Sequence, residues 1–185
     1  HYWKGLGSFG TSKVYAYNNV IRHQYGWGVI ASGTSEMHAH NNVIVYNGTT
    51  GLAAWNLGAT GSFVNNIVYG NGTSADEWVG KKTGIWFNAD PFVFDLRYNL
   101  VFGNDDFDVC AGGIPNDPEN PCVAMDYDGV DGNIAETPQF VSVTDFHLKE
   151  TSPAVDAGDP DLFDVDGSRS DMGVYGGENA PESVP

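Results

Sequence analysis

Asn41-Asn42-Val43-Ile44-Val45-Tyr46-Asn47 has near-copies at Asn18-Asn19-Val20-Ile21 and at Asn65-Asn66-Ile67-Val68-Tyr69-Gly70-Asn71, and a weaker one at Tyr98-Asn99-Leu100-Val101-Phe102-Gly103-Asn104. The first three recur every 23 or 24 residues. A fixed period in this range marks a solenoid, in which each repeat is one coil that buries its apolar side only by stacking on its neighbours.

The register inside the repeat indicates the kind of coil. After Asn19, Asn42, Asn66 and Asn99 come two aliphatic residues, and five positions on stands a second amide: Gln24, Asn47, Asn71 and Asn104. Nine positions after Asn19 and Asn42 a glycine, Gly28 or Gly51, opens an apolar run; in the third coil it is Gly84, displaced by an insertion at about 72–83. No apolar stripe of helical period runs through the repeat, so helical solenoids are poor fits and the pattern suits three short strands per coil. Asn19, Asn42, Asn66 and Asn99 are expected to form an amide ladder at a sharp bend, because Asn tolerates left-handed backbone angles and its side chain can bond the Asn one coil away. The sequons at Asn47 and Asn71 coincide with the second amide position, so a structural role is expected there rather than glycosylation.

On these motifs residues 14–104 resemble the right-handed parallel β-helix repeat family, the architecture of pectate lyases and many other secreted proteins. The segments 133–141, 152–159 and 164–177 look like the closing segment at the C-terminus of such proteins. The resemblance implies an all-β single domain over 1–185. Its parts are four to five right-handed coils at 14–104, an acidic loop region at 105–132, a loop-rich closing segment at 133–177 and a tail at 178–185. It also implies an extracellular or cell-surface protein, but not an activity, since one fold hosts many functions. No convincing cap precedes the first repeat near Val14. The chain is therefore expected to be the C-terminal part of a longer protein, the alternative being that residues 1–13 dock on another copy.

Twenty-four acidic against eight basic residues give a net charge of −16, which argues against nucleic-acid or anionic-membrane partners, and no apolar run approaches a membrane span. Cys110 and Cys122 bracket an irregular loop and are expected to pair, a closure that contributes about 3 kcal/mol in the chain-entropy description. Asp164, Asp166 and Asp171 around Gly167 read either as a calcium site or as plain Asp-Gly turn chemistry, and both readings stay open.

Strand alternation separates the faces. After the recurrent glycine Val29, Leu52, Ile85, Ala31, Ala54 and Phe87 point inward, and Ile30, Ala53, Trp86, Ser32, Trp55 and Asn88 point outward. With Trp27 and the insertion's Trp78 nearby, this face is expected to form an aromatic strip that binds polysaccharide through Trp27, Trp55, Trp78, Trp86 and Asn88. The opposing expectation covers Trp55 and Trp86 with the insertion or a partner domain. A second outward set runs Tyr15, His38, Ser62, Asp95 in one column and Tyr17, His40, Val64, Arg97 in the next. Asp95 stands two coils from His38, too far for a charge relay in this register, so a mixed solvent-facing sheet is expected.

Lyases of the resembled family use a Lys or Arg base beside calcium held by acids. The resemblance therefore singles out Lys81 and Lys82 as candidate bases, and Asp76 and Glu77 as a candidate acid or metal ligand. The expectation is a secreted module that binds, and if enzymatic cleaves, polysaccharide. Its rival is a structural protein that assembles by stacking with other copies.

Overall fold

The computed structural model describes residues 3–55, 58–74, 82–88, 91–113 and 118–182. It is a parallel β-solenoid of about four turns. Each coil contributes one strand to each of three sheets. Sheet 1 contains β1 (Lys4–Ser8), β4 (Trp27–Ala31), β7 (Leu52–Ala54), β10 (Thr83–Phe87) and β13 (Phe107–Ala111), with a short antiparallel β14 (Val123–Ala124) at its end. Sheet 2 stacks β2 (Lys13–Tyr17), β5 (Glu36–His40), β8 (Thr60–Val64) and β11 (Phe94–Arg97), and sheet 3 stacks β3 (Val20–Arg22), β6 (Val43–Val45), β9 (Ile67–Tyr69) and β12 (Leu100–Phe102).

Two amide ladders hold the coils in register. In the first, the backbone N–H and side-chain Nδ2 of Asn19 both donate to Asn42 Oδ1, Asn42 does the same to Asn66, Asn66 to Asn99, and Asn99 to Asn133. Each inner rung has an Nδ2 that also reaches the carbonyl of a residue on the preceding coil's second strand, Ala16, Ala39 or Phe63. The second ladder runs from the Gln24 backbone N–H through Asn47, Asn71 and Asn104 to Asp108. Asn47 and Asn71 are buried rungs, as the repeat register requires. The left-handed backbone angle falls one residue earlier than expected, on Asn18, Asn41, Asn65 and Tyr98, so the bend and the ladder are made by different residues.

Gly28, Gly51 and Gly84 mark where the second ladder passes closest to sheet 1. A Cβ on any of them would lie within 2.9 Å of the Nδ2 of Asn47, Asn71 or Asn104 and within 2.8 Å of the next coil's backbone carbonyl. The interior between the sheets is apolar, with Phe63, Phe87 and Phe94 in mutual contact at centroid separations of 5.0–6.0 Å.

The strands begin earlier than Val14: β1 pairs in register with β4, placing Leu6 beside Val29 and Ser8 beside Ala31. The coil pattern also outlasts residue 104. Asn133 carries the ladder onward and Ile134 bridges Leu100, so the start of the closing segment is a partial further coil. The rest of that segment covers sheet 3, seating Phe146, Ala154, Met172 and Val174 on Val43, Val45, Ile67 and Leu100. Asn18 and Asn41 donate to carbonyls between Asp171 and Gly176, and Asn65 Oδ1 accepts from the Asp159 N–H. The bend asparagines thereby pin the covering segment.

Truncating Asn66 to Ala removes the acceptor for two Asn42 donors inside a buried ladder. Each orphaned buried group costs about 1–3 kcal/mol, so urea denaturation should show a loss on the order of 3 kcal/mol or more, against about 1 kcal/mol or less for the part-exposed end rung Asn19→Ala.

Candidate functional site

The expected tryptophan strip exists as a ladder but not as an open platform. Outward-facing Trp86 is completely buried in a cluster with Ile30, Ala53, Cys110 and Cys122, and its Nε1 donates to the Gly113 carbonyl at 3.1 Å. The Cys110–Cys122 disulfide, with Cα atoms 5.8 Å apart, holds this cover in place. Trp27, Trp55 and Trp86 pack edge to face at 5.3 and 5.2 Å, which turns successive rings across one another instead of presenting flat faces in line. Trp27 and Trp55 are half-buried, and Asn88 Nδ2 is engaged with the Trp55 carbonyl. Strand parity is as expected, but the cover over Trp86 corrects the expectation that this ring meets a ligand. Trp78, Asp76, Glu77 and Lys81 lie outside the described residues, and Lys82 pairs with Asp105 at 3.2 Å.

The acidic trio near Gly167 is used for turns. Asp164 accepts the Asp171 and Gly177 backbone N–H groups, Asp166 accepts the Ser168 N–H and hydroxyl, and Asp171 accepts the Asp156 N–H. Among the described residues no group of three His, Cys, Asp or Glu side chains is arranged to hold a metal ion. Burial, followed by the repulsion of neighbouring carboxylates, pushes the Asp171 carboxyl up to about 6.

The outer face of sheet 2 carries the most chemistry. Its columns stack as the repeat predicts: Lys13, Glu36, Thr60; Tyr15, His38, Ser62, Asp95; and Tyr17, His40, Val64, Arg97. Tyr15 and Tyr17 are exposed at 54% and 48%, and Tyr15 lies flat on His38, centroids 4.9 Å apart at 12°. A continuous hydrogen-bond chain crosses the face. Lys13 Nζ meets Glu36 Oε1 at 2.8 Å, Glu36 Oε1 meets His38 Nε2 at 2.6 Å, His38 Nδ1 meets Ser62 Oγ at 2.7 Å, and His40 Nε2 meets the same Oγ at 2.6 Å. The Lys13 ammonium first, then His38, holds the Glu36 carboxyl below the usual range, so it is an acceptor only. Facing that acceptor, His38 Nε2 carries a proton. Ser62 donates to His38 Nδ1 and accepts from His40 Nε2–H, which orders every proton along the chain.

Ser62 is brought against His38 by a glycine. At Gly61 the backbone has φ 150°, and a Cβ there would lie 1.8 Å from the Met37 carbonyl oxygen, so β8 approaches β5 as closely as only glycine permits. Glu36 is the partner that the column reading missed. It stands two residues before His38 on the same outward face, and that spacing was the available signal. Beyond His40 the face opens into a groove of about 610 Å³ between Tyr17, His40 and the covering segment's Leu162, Phe163 and Val165, with Asp161, Asp164 and Glu178 on its walls. Arg97, bonded to Asp95 and to buried Asp159, ties the covering segment to this sheet.

Burial first, then the electrostatic influence of His38 and Arg97, depresses His40 to about 4. The folded state thus keeps His40 neutral where an unfolded chain would protonate it near its ordinary 6.5. The corresponding stability is fully present above that value and is lost as pH falls toward 4, by about 3 kcal/mol. Denaturation of His40→Asn alongside the native sequence should show the two converging or crossing in this window, with the variant the less acid-sensitive. Asp171 has the opposite sign: its raised folded value penalises the fold as pH rises from 3.8 through 6. Asp171→Asn should therefore raise the melting temperature at pH 7 and leave it little changed below pH 4. No family model, curated protein or solved structure matches the chain.

Proposed function

We propose that this chain is a β-solenoid module of the pectate-lyase-like kind that acts outside the cell and binds polysaccharide along the outer face of sheet 2, not along the tryptophan ladder of sheet 1. The observation that carries the reading is the pairing of exposed Tyr15 and Tyr17 with the groove beyond His40. Aromatic rings stack on the apolar faces of sugars, and the flanking carboxylates and imidazoles can bond hydroxyls. A strip of parallel strands repeats these groups at about 4.8 Å, a spacing suited to an extended polymer. The disulfide and the absence of a long apolar helix among the described residues are compatible with an extracellular setting.

A second reading, assembly with other copies, is favoured by a different observation: β1, β2 and β3 each end a sheet, and such edges are templates for further strands. A glycan array of plant, algal and bacterial polysaccharides should show binding to one class, weakened about tenfold or more by Tyr17→Ala while Trp86→Ala acts on stability alone. Silence across the array, with a concentration-dependent oligomer in light scattering, would overturn the binding reading in favour of assembly.

A further inference from the structure

We propose that Ser62 is a nucleophile, activated by the Glu36–His38 pair, and that this face hydrolyses carboxylic esters. Three arrangements carry the assignment. Glu36, His38 and Ser62 are connected by contacts of 2.6 and 2.7 Å, the sequence of carboxylate, imidazole and hydroxyl that makes a serine reactive. The ring is used in the opposite sense to the serine-protease arrangement, with Nδ1 toward the serine and Nε2 toward the carboxylate; the roles of the two nitrogens interchange with the tautomer. Gly61 fixes the serine strand at a separation that no other residue allows, and Tyr15 stacks on the His38 ring and fixes its plane.

In the reaction, a lone pair of Ser62 Oγ attacks the ester carbonyl carbon while the hydroxyl proton passes to His38 Nδ1. The resulting imidazolium is stabilised by the Glu36 carboxylate. Collapse of the tetrahedral adduct breaks the bond to the alkoxy oxygen, which takes the proton from His38 and departs as an alcohol. Water, deprotonated by His38, then cleaves the acyl-serine to a carboxylic acid and restores Ser62. His40 Nε2–H, which donates to Oγ at rest, is an N–H placed to turn onto the developing oxyanion. Glu36 does not touch the reacting atoms and is a positioning residue. The groove beside His40 is the place for the alcohol half, and taking that half to be an O-acylated sugar rests on the polysaccharide reading above; the nucleophile does not.

The test uses the full chain with a fluorophosphonate probe, mass spectrometry of the labelled peptide, and p-nitrophenyl acetate as the ester. Labelling at Ser62 is expected, together with ester hydrolysis that Ser62→Ala abolishes and His38→Asn lowers about 100-fold or more. Glu36→Gln should slow labelling about tenfold or more and displace its pH profile with little change in melting temperature, a combination a merely structural role would not produce. That profile is read with Lys13, Tyr15, Tyr17, His40, Asp95 and Arg97 also facing the network. A folded native chain left unlabelled at Ser62, or hydrolysis that persists in Ser62→Ala, overturns the proposal. Glycan binding without labelling would sink the nucleophile and spare the binding face. Labelling without glycan binding would establish the nucleophile and discard the sugar.

Discussion

Everything in this molecule is referred to the buried amide ladders. A parallel strand stack specifies spacing through its backbone bonds, but slippage by one residue would turn every side chain to the other face. The asparagines prevent this because each rung satisfies two donors of the rung before it and one carbonyl of the preceding coil, so a shifted register leaves several buried polar groups without partners. The apolar interior supplies the driving force; the amides select one alignment among the many that an aliphatic filling would accept.

The bend asparagines extend that control to the outside. Asn18, Asn41 and Asn65 take up left-handed backbone angles and turn their amides onto the closing segment. Glycine would satisfy the backbone but not hold the cover. In the fourth coil the position is Tyr98, and Arg169 of the covering segment lies over its ring instead. The cover shields the apolar back of sheet 3 and at the same time raises one wall of the groove beside His40, so the same contacts that stabilise the fold shape the candidate site.

Periodicity made the fold, the inward and outward parities and the columns of sheet 2 legible, because each follows from counting residues within a strand. It could not say what lies over an outward residue. Trp86 points away from the coil axis as counted, yet Gly113 and the Cys110–Cys122 disulfide close over it, and such contacts obey no repeat. β1 is faint in the sequence because Lys4-Gly5-Leu6-Gly7-Ser8 has one apolar inward residue, and Asn133-Ile134 repeats the Asn-aliphatic step without the rest of the pattern. Glu36 was within reach of sequence reasoning. Columns compare residues across coils, whereas its relation to His38 runs along one strand.

The span from first to second ladder is five residues after each of Asn19, Asn42, Asn66 and Asn99, whereas the return from the second ladder to the next first rung absorbs the difference between coils 23 and 34 residues apart. Tyr17, His40, Val64 and Arg97 lie within that return, yet each stands at a constant two residues before a first-ladder rung. The outer face of sheet 2 is therefore an addressable grid, whose squares keep their coordinates while the loops bordering sheet 1 lengthen. Chemistry placed on such a grid can be revised one square at a time, and recognition of new partners can be tried out at the loops without disturbing it.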